Sequence, residues 1–153
     1  MSPDAHVIRP IRPSDKDALV RFHARLSPEA RYRRYHGQKG DLTNADLRFL
    51  TECDGVTHVA RVAVDEHGEI DAVARVIQGE IAVVVADGRR HAGLGHRVAA
   101  AALRAFREHN PDGPAVTAYV QPDNGRALRL FERLGARRRG VCGSDALELV
   151  IPA

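Results

Sequence analysis

The segment that most restricts how this chain can fold is Val83-Val84-Val85-Ala86-Asp87-Gly88-Arg89-Arg90-His91-Ala92-Gly93-Leu94-Gly95-His96-Arg97. An apolar, β-branched run enters a glycine-containing turn, which predicts a strand followed by a loop from Asp87 to Gly95. Leu94, Val98, Ala102, Ala105 and Phe106 then recur at helical spacing until Asn110-Pro111 stops the helix. Glycines at the mouth of a helix let backbone N–H groups approach an anion. The helix end adds about half a positive charge. That combination suits a pyrophosphate. The spacing excludes the common nucleotide signatures. No G-x-x-x-x-G-K-S/T is present, and the dinucleotide fingerprint needs glycine at 98, where Val98 stands.

The elements around this segment alternate between helical and strand periodicity. His6 to Ile11 is a β-prone segment ending at Pro13. Ser14 is placed to cap a helix with Asp17 reaching back, and Ala18, Leu19, Phe22 and Leu26 form its apolar face. Ser27-Pro28-Glu29 restarts a helix that carries Arg31 to His36 and stops near Gly37. Thr43-Asn44-Ala45-Asp46 opens a third, through about Glu52. Thr57 to Val64 and Ile70 to Gln78, joined at Asp65 to Gly68, form a hairpin. Gly79 breaks the run, and Ile81 to Ala86 is expected as a buried central strand. Ala115 to Val120 is a further strand. Asn124 opens a helix with Ala127, Leu130, Phe131 and Leu134 on one face, ended by Gly135. Ala136 to Val141 and Ala146 to Ile151 close the chain as a hairpin. The fold class is α+β, a mixed α/β chain of helices, a meander, a βαβα unit and two last strands.

Composition bounds the function classes. The chain has 153 residues, enough for one domain, with 44% hydrophobic and 28% charged residues. The longest mainly apolar run, Ile81 to Ala86, is far short of a membrane span. Met1-Ser2-Pro3-Asp4 does not open a signal peptide, so a cytoplasmic location is expected. Net charge is +3, and all basic residues except Lys16 and Lys39 are arginine. Guanidinium suits phosphate and carboxylate, but this charge is too small to imply nucleic acid. Arg31 to His36 is expected as an amphipathic helix and Arg137-Arg138-Arg139 as a solvated strand start. Cys53 and Cys142 lack CxxC spacing, and His91 and His96 are poorly spaced as ligands, so no metal is expected.

Arg90-x-x-Gly93-x-Gly95 resembles the Q/R-x-x-G-x-G/A loop of the GNAT acetyltransferase superfamily. Downstream, Asn124-x-x-Ala127-x-x-x-Phe131-x-x-x-Gly135 is similar to that group's N-x-x-A-x-x-x-Y-x-x-x-G helix. In the N-terminal half, Ile8 to Asp15, Leu26 to Glu29, Arg33 to His36 and the run Glu80 to Val85 resemble the catalytic domain of bacterial Pat-type protein lysine acetyltransferases. The resemblance implies a single GNAT domain over 1–153. Its central sheet would be twisted and mostly antiparallel, with six to seven strands, helices on both faces, and splayed parallel strands at an acyl-CoA slot. It implies acetyl-CoA as the cofactor and transfer of an acetyl group to a primary amine by direct attack on the thioester. A protein lysine is the first acceptor expected. A small amine or amino-acid derivative, or a non-catalytic acyl-CoA sensor, remain open alternatives. Either a monomer or a homodimer is compatible.

The same resemblance assigns roles. Arg90, His91, Ala92, Gly93, Leu94, Gly95 and His96 hold the pyrophosphate. Backbone N–H groups within Val83, Val84 and Val85 meet the thioester carbonyl, and Asn124 and Phe131 contact the cofactor. Glu80 takes the proton that an ammonium, with pKa about 10.4, must lose before it attacks. Phe131 stands where the family's tyrosine acid is usual, and Ala136 where phenylalanine usually follows the glycine. Tyr119, on the neighbouring strand, is the group left to relay a proton to the departing thiolate.

Overall fold

The computed structural model describes residues 6–26, 42–86, 93–113, 115–141 and 146–152. Strand β1 (Val7–Pro10) leads through a 3-10 turn (Pro13–Asp15) into α1 (Lys16–Arg25). Then come α2 (Asn44–Thr51), β2 (His58–Val64), β3 (Ile70–Ile77), β4 (Glu80–Val85), α3 (Leu94–His109), β5 (Val116–Val120), α4 (Gly125–Arg133), β6 (Arg137–Val141) and β7 (Leu147–Ile151). The expected segment from Ser27 to Gly37 lies outside the described residues.

The strands form one sheet of seven, in the order β1-β2-β3-β4-β5-β7-β6. Every neighbouring pair is antiparallel except β4 and β5, which run parallel. This is the mixed, mostly antiparallel sheet expected from the sequence. The turn from β3 to β4 has positive φ at Gln78 (50°) and Gly79 (85°), the two-residue geometry that matches strand twist. It makes Glu80 the first residue of β4, one position earlier than the apolar run suggested.

The sheet separates two cores. On one face Ala63, Ala72 and Ala74 meet Ala99, Ala102 and Ala105 of α3. Alanine on both sides lets the helix axis lie close to the strands, and Val98, Val116, Leu149 and Ile151 fill the remaining volume, all at most 1% exposed. On the other face Leu19 and Phe22 of α1 and Leu50 of α2 cover Ala60, Val62 and Val73. Among the described residues, that second core takes no buried residue from β5, β6 or β7. Helices α1 and α2 therefore pack on the β2–β4 part of the sheet.

The start of α1 differs from the sequence expectation. Ser14 sits in the 3-10 turn, and Asp15 is the residue before the helix. Its carboxylate does not cap α1. It accepts from the Arg12 backbone N–H at 2.7 Å and from both terminal nitrogens of Arg9 at 2.8 Å. A fork-to-fork pair of this kind ties the helix entry to β1 and outcompetes a cap. Burial alone would raise the Asp15 pKa. The hydrogen bonds from Arg9 and Arg12 and their charges outweigh it and hold the carboxyl below its ordinary value. A depressed folded pKa stabilises above the unfolded value, about 3.9, and is lost as pH falls. Asp15→Asn should cost about 1–2 kcal/mol at pH 7. Urea denaturation from pH 7 to pH 3 should show the gap between the two proteins closing as the acid limb is entered.

Candidate active site

The site begins where the sheet opens. Strand β4 is paired with β3 over six residues, Glu80 to Val85, and β5 with β7 over five. Between β4 and β5 only Glu80 and Thr117 are in register, and the Thr117 N–H donates to the Gly79 carbonyl at 2.8 Å. Past that point the two strands part. Each is held by its other neighbour, and the sheet's twist carries them away from one another.

Backbone alternation decides what lines the gap. The Ala86 N–H donates to the Asp71 carbonyl of β3 at 2.8 Å, so the backbone groups of Ala82, Val84 and Ala86 face β3. Those of Ile81, Val83 and Val85 point toward β5; Ile81 adjoins the Glu80–Thr117 pairing, and Val83 and Val85 face the gap. Of the three valines named from sequence, Val83 and Val85 present their amides to the opening and Val84 does not. The three are half-buried rather than buried, which corrects the expected buried central strand. Departure of β5 removes the covering that such a strand needs.

Helix α3 starts at the open end of this gap. Gly93 has φ +75°, a left-handed value that favours glycine, and precedes Leu94, which is buried. At Gly95 a Cβ would lie 2.9 Å from Leu130 Cδ1 of α4 and 3.2 Å from Val85 Cγ2 of β4. A hydrogen there lets the first turn of α3 rest directly on β4 and α4. The Arg97 N–H is bonded to the Gly93 carbonyl at 3.0 Å, while helix geometry leaves the N–H groups of Leu94, Gly95 and His96 without partners four residues back. Arg90, His91 and Ala92 lie outside the described residues. Asn124 caps α4, its Oδ1 accepting from the Ala127 N–H at 3.2 Å. Phe131 is 5% exposed and packs in the core beneath α3 and α4.

The face turned toward α1 carries the polar groups. Ile81 is in the α3 core, so Glu80 points the other way and is exposed. Val116, Ala118 and Val120 likewise leave Thr117 and Tyr119 on that face. Glu80 and Tyr119 therefore share one face on the two strands flanking the gap. Glu148 of β7 stands opposite Tyr119 in register and accepts from its hydroxyl at 3.5 Å. A bulge between Arg138 and Gly140 places Arg139 against the same carboxylate as an ion pair. That pair, together with Tyr119, holds the Glu148 pKa below the ordinary carboxylate range. The sequence reading missed Glu148. A lone acid between Leu147 and Leu149 in an alternating strand was the available signal.

On the same face of β4 as Glu80, a cleft of about 400 Å³, counted to its open mouth, lies between α1 and the sheet and is lined on β4 by Ala82 and Val84. Leu19, Phe22, Leu26, Val73, Ala82 and Val84 give it apolar walls, and His23 and Arg75 add buried polar groups. Arg75 donates to the Leu50 carbonyl at 3.0 Å and to His58 Nε2 at 2.9 Å. A guanidinium is always a donor, so His58 accepts there as a neutral ring. No helix among the described residues is long and apolar enough to cross a membrane.

Comparison with known proteins agrees with this geometry. The sequence profile of the FR47-like protein family matches residues 68–142, from the β2–β3 turn to just past β6. A mycothiol acetyltransferase of Salinispora arenicola is 30% identical over 150 residues, covering 89% of this chain and 46% of that protein. The chain thus spans about half the length of that curated relative. In structure it is similar to the GNAT domain of S. lividans PAT, with TM-score 0.81 and 23% identity over 97% of this chain and 90% of that one. It is also similar to yncA, an acetyltransferase from Salmonella typhimurium solved with its cofactor acetyl-CoA. There the TM-score is 0.71 and the identity 18%, over 96% and 91% of the two chains. A GCN5-related N-acetyltransferase from Kribbella flavida matches with TM-score 0.73 and 22% identity, over 99% and 100%. The chain has the fold of these GNAT-domain structures, and the FR47-like profile matches just under half of it.

The contact at Gly95 makes a direct prediction. Gly95→Val should destabilise the protein by about 1–3 kcal/mol, because β4 and Leu130 occupy the space a larger side chain needs. Gly140→Val, on the exposed edge strand where nothing lies within 4 Å of an added Cβ, should cost far less in the same denaturation assay.

Proposed function

We propose that this chain transfers an acetyl group from acetyl-CoA to a primary amine, and that the amine is a lysine side chain of a protein. The observation that carries the reading is the gap between β4 and β5, with the N-terminus of α3 at its open end and Glu80 at its closed end. Five residue steps along β4 cover about 17 Å, a run suited to an extended pantetheine arm. The backbone groups of Val83 and Val85 face that run and supply the hydrogen bonds an added strand would make. The glycine-lined start of α3 fits a diphosphate, and the sequence places Arg90, His91 and Ala92 beside it. The likeness to yncA, solved with acetyl-CoA, supports the cofactor.

Each residue then has a task. Acetyl-CoA supplies a thioester carbonyl carbon open to attack. Glu80 accepts a proton from the acceptor's ammonium, directly or through one water, and so frees the nitrogen lone pair. An N–H of Val83 or Val85 donates to the negative charge that develops on the carbonyl oxygen, a fixed dipole worth a few kcal/mol in a dry site. Tyr119 shares the face of Glu80, lies two residues past Thr117 along the gap, and protonates the departing thiolate. Asn124 holds the first turn of α4 against the cofactor arm.

Lysine is favoured by the Pat-like segments at residues 8–15, 26–29, 33–36 and 80–85, and by the fold likeness to the GNAT domain of S. lividans PAT. A small-molecule amine is the second reading. The apolar cleft lined by Ala82 and Val84, on the Glu80 face of β4, and the mycothiol acetyltransferase relative favour it. We also propose that residues 1–153 act as one catalytic domain.

Glu80→Gln tests the catalytic core of this reading. Turnover, followed as free thiol release with a panel of amines, should fall about 100-fold or more. The acetyl-CoA Kd should stay within about threefold, since the substitution leaves the diphosphate grip intact. Thiol release unchanged by the substitution would remove Glu80 from the base role. No release with any amine in the unmodified protein would leave an acyl-CoA sensor.

A further inference from the structure

The charge of this chain is not spread evenly. Residues 125–141 hold six arginines and one acidic residue, Glu132, a net +5 in a chain whose total is +3. The other residues together are therefore net negative. On α4, Arg126, Arg129 and Arg133 fall at helical spacing on one exposed stripe, opposite Leu128 and Phe131, which are buried. On β6, all five residues are exposed. Arg138 stands opposite Leu149, on the side of the sheet that α4 covers, while Arg137 stands opposite Val150, on the side of Glu80 and Tyr119. Arg139 reaches that second side through its pair with Glu148. Positive charge thus runs from α4 around the sheet edge onto the face where the acceptor is placed. Among the described residues no carboxylate pairs with Arg133, Arg137 or Arg138.

The edge adds a second recognition element. Among the described residues β6 pairs only with β7, which leaves its outer backbone groups available to an added strand. Arginine offers planar forks that grip carboxylates from either side of such a strand. We propose that α4 and β6 form a docking surface for an acidic, extended segment of the acceptor protein, which aligns along β6 and delivers its lysine toward Glu80. The proposal rests on the lysine reading above, and it deepens that reading by naming acidic flanking sequence as the feature selected.

The test uses the full chain and two peptides of equal length, each with one central lysine, flanked by glutamates in one and by glutamines in the other. Binding is read by fluorescence anisotropy and is independent of turnover. The glutamate-flanked peptide should bind about tenfold more tightly, as expected of three exposed ion pairs, and added salt should erase the difference. In R133E/R137E/R138E the preference should vanish, while thiol release with n-butylamine stays at the unmodified level. The neutral variant R133Q/R137Q/R138Q should give the same loss, which separates charge recognition from misfolding. Equal binding of the two peptides, or a preference that survives both variants, would overturn the docking surface. So would a single-stranded DNA of matched charge binding more tightly than the acidic peptide through the same arginines. Failure of the lysine reading shows separately, as absence of acetylated peptide whatever the binding.

Discussion

The pairing of Glu80 with Thr117, whose N–H donates to the Gly79 carbonyl, is the last register point between β4 and β5. Everything chemical depends on the sheet opening there and nowhere else. Unpaired strand groups are costly when buried, so an opening within a sheet persists only if the strands on either side are held independently. Here β3 holds β4 along its length and β7 holds β5. Helix α3 closes the floor, and the absent side chain at Gly95 lets it sit close enough to do so. The half-buried state of Val83 to Val85 is the visible trace of that opening.

The two faces of the sheet divide the work. The α3/α4 side is small and tightly filled, with alanine against alanine, and it fixes the gap rigidly. The α1/α2 side is built more from polar ties. The Arg9–Asp15 fork holds the entry to α1, and buried Arg75 joins β3 to the end of α2 and to His58. Removing one partner from such a buried tie leaves a charge in a poor solvent, so each also fixes position. The helices they hold form one wall of the cleft over Ala82 and Val84 of β4.

Much of this was legible in the sequence. The β-branched run before Gly93, the alanine-rich helix after it and the asparagine before α4 all carry local chemistry strong enough to name their own structure. The alternation of Val116 to Val120 was equally plain. Less legible were features set by tertiary contact. Ser14 had the chemistry of a cap, but Asp15 was claimed by Arg9 of β1 and the helix starts after it. The partial exposure of β4 came from the departure of β5, which no property of β4 itself announces. Which valine amides face the gap follows only from the register with β3. Glu148 escaped notice because its partners, Tyr119 and Arg139, are brought to it by strand pairing and a bulge. The site residues from Arg90 to Ala92 rest on their sequence pattern and lie outside the described part of the chain.

Amide hydrogen exchange measured residue by residue along β4, with and without acetyl-CoA, reads the opening directly. Without acetyl-CoA, Val84 should be protected by its pairing with β3, and Val83 and Val85 should exchange much faster. Saturating acetyl-CoA should slow Val83 and Val85 and leave Val84 unchanged. Equal protection of all three in the free protein, or no response at Val83 and Val85 to acetyl-CoA, would contradict the account.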